Sequence, residues 1–147
     1  MRVSVIGGST VDDATYEAAV EVGRELGRRG HTVICGGLGG VMEAVCRGAR
    51  EEGGHTIGIL SGSDPTAANE YVETALATGL GNARNVLVVM NGTGVIAIDG
   101  HYGTLSEIAH ALDFGKPVCG LNTHDIEGIE SVESPERVVS RLEQIVL

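Results

Sequence analysis

The residues best suited to chemistry lie between Ile98 and Leu112, in the run IDGHYGTLSEIAHAL. A strand-like apolar run, a turn holding Gly100 and Gly103, and the start of a helical pattern follow one another there. The first N–H groups of a helix lack an intrahelical partner, and the helix dipole favours negative charge beside them. Gly100 and Gly103 let the backbone approach an anion, and Thr104 adds a hydroxyl donor. Together they describe a phosphate site. Thr104 and Glu107 also have the T-x-x-E spacing of a capping box. The two readings use the same geometry, and both stay open at this point.

Gly7-Gly8-Ser9, Gly36-Gly37 and Gly39-Gly40 are further candidates for ligand contact, because each cluster follows or adjoins an apolar run. Ser9 could touch a ligand phosphate or hydroxyl, or cap the next helix. Glu107 and His110 stand one helical turn apart, but one such pair is half a metal site, so no metal is expected. Cys35, Cys46 and Cys119 are odd in number and widely spaced. They read as buried thiols of a reducing compartment rather than a disulfide or zinc set. No Ser or Cys has an evident neighbouring base that would make it a nucleophile. His31, His55 and His124 read as isolated polar residues.

The elements that position these residues alternate. Residues 2–6 read as a strand. A helix follows, capped by Asp12 or Asp13, with an inward stripe of Tyr16, Ala19, Val20, Gly23, Leu26 and Gly27, and it closes at Gly30. Residues 31–35 read as a second strand. The next helix carries Val41, Met42, Val45 and Ala49 inward, and residues 56–60 form a third strand. Residues 61–69 look like a loop and 71–75 like a short strand. Around Asn91-Gly92, local propensity suggests a hairpin. The overall alternation favours a helix over 82–90 and a strand over 95–98, and we take that assignment. A helix from Thr104 with the stripe Leu105, Ile108, Ala109 and Leu112 comes next, then a strand over 118–121. A last helix starts at Ser134-Pro135 and docks Val138, Val139, Leu142 and Ile145. The expected fold is α/β, one Rossmann-like domain over 1–147 with a parallel sheet flanked by helices on both faces.

Composition agrees. The chain has 147 residues, 23 of them Gly, and only 3% aromatics, so a Val, Ile, Leu and Ala core suits a buried parallel sheet. The net charge of −10 argues against nucleic acid and anionic membrane as partners. It fits either a saline cytoplasm or simple solubility. Neither a signal peptide nor a spanning segment is evident, and a cytoplasmic location is expected.

Asp99-Gly100-His101-Tyr102-Gly103-Thr104-Leu105-Ser106-Glu107 resembles the PGGxGTxxE motif of the LONELY GUY-like (LOG-like) family, once misnamed lysine decarboxylases. Cys35–Ala49 resembles that family's second Gly-rich loop and helix. Val5–Ser9 resembles its first loop, and Gly79–Asn85 its Arg-bearing segment. The shorter branch containing the molybdenum cofactor carrier protein is the most similar, through Ala83-Arg84-Asn85 and Gly40–Val45. The resemblance implies a Rossmann-like fold, a homodimer or homotetramer, and a phosphorylated small molecule as ligand, either nucleotide or molybdopterin-like, with no cofactor required. It also implies ligand contacts at Gly7, Gly8, Ser9, Gly36, Gly37, Gly39, Arg84, Asn85, Gly100, His101, Tyr102, Gly103, Thr104 and Glu107.

In the family's hydrolases an Arg and the motif Glu serve cleavage of nucleoside 5′-monophosphates to free base and ribose 5-phosphate. Those roles fall on Arg84 and Glu107. A carboxylate can stabilise charge developing on the ribose, and an Arg can fork a phosphate or bind the departing base. The alternatives are a surface or subunit salt bridge for Arg84 and the capping box for Glu107. Two departures bear on catalysis: the family's Pro is Asp99 here, and its second Gly is His101. Asp99 puts a carboxylate near a phosphate unless it faces away or meets a sugar hydroxyl. His101 narrows backbone freedom but could donate a ring N–H. The sequence thus favours a binder or carrier, with a phosphoribohydrolase and a ligand-sensing module as alternatives.

Overall fold

Short β-branched runs separated by amphipathic helices favour parallel strands joined by helical crossovers. The computed structural model, which describes residues 1–147, has that arrangement. The chain runs β1 (Arg2–Gly7), α1 (Asp13–Arg28), β2 (Thr32–Cys35), α2 (Val41–Glu51), β3 (Thr56–Leu60) and β4 (Thr74–Ala77). It continues through α3 (Asn85–Asn91), β5 (Gly94–Ile98), α4 (Tyr102–Asp113), β6 (Val118–Leu121), β7 (Ile129–Ser131) and α5 (Pro135–Val146). The strands form one sheet in the order β4-β3-β2-β1-β5-β6-β7, and every neighbouring pair is parallel.

The two faces of the sheet carry separate cores. On one, Val3, Val5, Val33, Ile96 and Ile98 pack under α1, α2 and α5, through Val20, Leu26, Val45, Val138 and Leu142. On the other, Ile6, Ile34, Ile59, Val95 and Ala97 pack under α3 and α4, through Val88, Val89, Ile108 and Ala111. Burying each such aliphatic side chain contributes about 1.5–3 kcal/mol, so the sheet is sealed on both sides. Helices α1 and α2 touch backbone to backbone. A β-carbon at Gly23 would fall 2.2 Å from the Val45 carbonyl, and one at Gly48 would fall 1.9 Å from that of Val20. No helix is long and apolar enough to cross a membrane.

The caps follow the residue types. Asp12 accepts from the Thr15 N–H at 2.8 Å at the start of α1, and Ser134 from the Arg137 N–H ahead of Pro135 in α5. The region around Asn91-Gly92 is no hairpin: a 3-10 turn (Gly81–Arg84) runs into α3, which leads to β5. Cys35, Cys46 and Cys119 are buried and free.

Several expectations are corrected. The strand expected over 71–75 is Thr74–Ala77, and the edge strand β7 was not anticipated. Helix α4 starts at Tyr102, two residues early, and buries Thr104, Glu107, Ile108 and Ala111. Of the expected stripe only Ile108 is core; Leu105 and Leu112 are half-buried and Ala109 is exposed. Ile145 is 40% exposed rather than docked.

Candidate functional site

In an open parallel sheet, ligands bind outside the carboxyl ends of the strands where the winding direction reverses. Here that point lies between β1 and β5, which are neighbours in the sheet. After β1 the chain turns to α1 on one face; after β5 it turns to α4 on the other. The loops part and leave a cavity of about 420 Å³. That volume lies within the range of small-molecule sites.

The cavity gathers residues from all four of the expected segments. Gly7, Gly8 and Ser9 line it after β1, and Gly36 after β2. Arg84 and Asn85 reach it from the turn before α3. Gly100, His101, Gly103, Thr104 and Glu107 line it from the β5–α4 connection. Gly37, Gly39 and Tyr102 do not line it. Gly37 instead packs on Gly58 and Leu60 of β3, and Tyr102 is 84% exposed. Sequence reasoning had not nominated Thr10, Leu38, Met42, Ser61 and Asn82, which also line it. Leu38, Met42 and Asn82 lie within the family-like segments Cys35–Ala49 and Gly79–Asn85, whereas Thr10 and Ser61 carry no distinctive spacing.

The β5–α4 turn is built around Gly100. Its φ is +114°, and a β-carbon there would fall 2.4 Å from Thr104. Only glycine permits both, and the result is a tight turn that delivers the first turn of α4 to the cavity. His101 is the N-cap residue, and no side chain caps the helix. The capping box is therefore not formed: Thr104 lies in the first turn and Glu107 further along the same helix. Thr104 is 3% exposed as a residue and lines the cavity, and its hydroxyl makes no hydrogen bond within the protein. An unpartnered donor in a first helical turn is what an anion site requires.

Arg84 is 8% exposed and forms no salt bridge within the chain. Its Nε–H donates to the Ile59 carbonyl at 2.9 Å. One terminal nitrogen donates to the Asn85 side-chain oxygen, and the other lies 3.5 Å from the Gly36 carbonyl. Asn85 in turn donates to the Ser106 hydroxyl at 3.3 Å, and Ser106 to the Gly103 carbonyl at 2.6 Å. The chain of bonds ties β3, α3 and the start of α4 together. A guanidinium has five N–H groups, so part of its donor capacity remains for a ligand.

Glu107 is 8% exposed, lines the cavity and has no hydrogen-bond partner. Burial pushes its carboxyl up to about 7, while the nearby Arg84 charge pulls it down. It therefore stands near the point where proton donor and acceptor forms coexist at neutral pH. No group of three or more His, Cys, Asp or Glu side chains is arranged to hold a metal ion.

Residues 1–146 match the SLOG cluster4 family. A protein of Archaeoglobus fulgidus is 42% identical over 141 residues, covering 95% of this chain and 93% of its own. A probable cytokinin riboside 5'-monophosphate phosphoribohydrolase of Oryza sativa subsp. japonica is 34% identical over 134 residues, covering 82% of this chain. The chain spans 58% of that relative's length, little more than half. Among solved structures, the molybdenum cofactor binding protein from the phototrophic bacterium Rippkaea orientalis matches with a TM-score of 0.93. It is 32% identical, with 99% of this chain and 97% of that one covered. The chain belongs to the SLOG cluster4 family, on the LOG-like branch that it shares with molybdenum cofactor carrier proteins.

Proposed function

We propose that the cavity between the β1 and β5 loops binds a phosphate-bearing nucleotide or molybdopterin-like molecule and carries it intact. One observation carries this reading. The uncapped first turn of α4 and the Thr104 hydroxyl, which has no protein partner, meet the cavity at the β5–α4 turn. Backbone N–H groups and one hydroxyl supply the donors a phosphate needs, and the dipole adds attraction. Gly7, Gly8, Ser9 and Gly36 would allow close approach from the other side, with Arg84 and Asn85 donating from above α3. The similarity to a molybdenum cofactor binding protein over nearly the whole chain supports a cargo of that chemistry.

A second reading, phosphoribohydrolase, is favoured by the unpaired Glu107 carboxyl beside Arg84 and by the similarity to the rice relative. Catalysis needs that carboxyl held tightly against the ribose, and displacement by about 1 Å can cost roughly a hundredfold in rate. The loop that would set the distance carries Asp99 and His101, and Arg84 is already engaged by three protein acceptors. Binding survives these features better than rapid cleavage does. Calorimetric titration with adenosine and guanosine 5′-monophosphates, with free base followed by chromatography, tests both. Saturable binding without base release is expected. Brisk release that disappears in Glu107→Ala and Arg84→Ala would overturn the carrier reading in favour of the hydrolase.

The chain is further proposed to form a two-fold dimer, since most soluble oligomers are symmetric. The surface offered is on α4, where Leu105 is half-buried and Ala109 exposed, with the exposed Phe114 at the end of the helix and the exposed Met90 on the neighbouring α3.

A further inference from the structure

Asp99 is the cavity's second carboxylate, and it is held where a phosphate is expected. It follows directly on β5, and its φ of +53° lies in the left-handed region that Asp tolerates better than most residues. Its backbone is clamped: the N–H donates to the Leu121 carbonyl at 3.3 Å, and its carbonyl accepts from the Thr123 hydroxyl at 2.7 Å. The clamp leaves the side chain over the β1 loop, with Oδ2 3.0 Å from where a β-carbon on Gly8 would stand. Asp99 lines the cavity, and its carboxylate makes no hydrogen bond or ion pair with the protein. Its unused acceptor capacity therefore faces ligand space, as does that of the nine-tenths-buried Glu107.

We propose that Asp99 is a specificity-determining residue of this cavity, accepting hydrogen bonds from the sugar hydroxyls of the bound ligand and excluding a second phosphate. The inference rests on the binding function proposed above. An ionised carboxylate only accepts hydrogen bonds, so it needs a donor-bearing group. It repels an anion at close range, the more so in a partly enclosed site. The Gly100 turn fixes where the donor group must lie: Asp99 adjoins Gly100, and Gly100 packs on Thr104 at the phosphate end. In a mononucleotide the group joined most directly to the phosphate is the sugar, not the base. Two carboxylate oxygens suit two neighbouring hydroxyls, as an acidic side chain meets a ribose in Rossmann dinucleotide sites.

The test is calorimetry with adenosine 5′-monophosphate, its 2′,3′-dideoxy analogue and adenosine 5′-diphosphate, on the parent protein and Asp99→Asn. Asn also tolerates positive φ, so the turn is retained; Asp99→Gly serves should the Asn variant misfold, and thermal melting checks both. The parent is expected to bind the monophosphate at least roughly tenfold more tightly than the dideoxy analogue, and more tightly than the diphosphate. Asp99→Asn is expected to lose most of the hydroxyl discrimination and to gain relative affinity for the diphosphate. Equal binding of monophosphate and dideoxy analogue, or discrimination unchanged in Asp99→Asn, overturns the role of Asp99 and leaves phosphate binding standing. Failure of the parent and both variants to bind any of the three overturns the binding function and this inference with it.

Discussion

Arg84 donates its Nε–H to the carbonyl of Ile59 at 2.9 Å, so the guanidinium is tied to the end of β3 before any ligand arrives. Arg84→Ala removes this bond together with those to Asn85 and Gly36. A buried carbonyl left without its donor costs about 1–3 kcal/mol. Chemical denaturation should therefore show Arg84→Ala destabilised by that order, beyond any effect on ligand. Arg84→Lys should recover little, because an ammonium cannot reach acceptors in a planar fork. Wild-type stability in Arg84→Ala would show that the residue serves only the ligand.

Gly100→Ala forces a side chain into the left-handed region and against Thr104 at 2.4 Å. Nucleoside monophosphate binding should fall at least tenfold as the first turn of α4 is displaced, since 1.4 kcal/mol is already a factor of ten. Gly30 is the control. Its φ is +73° but nothing lies within 4 Å of an added β-carbon. Gly30→Ala should cost about 1 kcal/mol of stability and leave binding unchanged. Calorimetry on both variants separates a local effect at the cavity from a general one.

Most of the alternation in this chain was legible because Val, Ile and Leu runs and Gly stops mark strands and helices in order. Arg84 was legible only as a charged residue of a matching segment. That its donors go to Ile59 and Gly36 depends on β3 lying beside the turn, which no local pattern encodes. The α4 stripe was misread for a related reason. An apolar stripe of Leu105, Ile108, Ala109 and Leu112 points to the core by periodicity alone. The helix turns Thr104 and Glu107 inward toward the cavity beside Ile108 and Ala111, and leaves Leu105 half-buried, Ala109 exposed and Leu112 at the edge of the core. Among the glycines, spacing did not tell Gly36, which meets the cavity, from Gly37, which packs on β3. The three-residue strand β7 is too short to show a period.

The face of α4 that carries Leu105 and Ala109 gives the dimer its test. Leu105 and Ala109 are four residues apart and so share a helix face. Leu105→Glu with Ala109→Glu places two charges in that face. Light scattering at micromolar concentration should give a dimer for the parent and a monomer for the double variant, with circular dichroism unchanged. A monomeric parent would remove the dimer from the account.

Glu107 predicts a pH dependence. Its carboxyl is raised from 4.5 to about 7 in the folded chain, chiefly by burial. Between those values the native state binds more protons than the unfolded state, so stability falls as pH rises through that window. The loss is of the order of 3 kcal/mol when the window has been crossed. Below pH 4.5 the carboxyl is protonated in both states and contributes no slope. Denaturant midpoints measured from pH 4 to 8 should show the fall, and Glu107→Gln should flatten it. An equal slope in Glu107→Gln would assign the dependence to other groups.

Native mass spectrometry of the protein after hours of incubation with guanosine 5′-monophosphate tests the central claim most directly, since one spectrum reads both binding and integrity of the ligand. The account predicts a complex whose added mass is that of the intact nucleotide. A spectrum showing bare protein at saturating nucleotide, or protein bearing only ribose 5-phosphate, would contradict it.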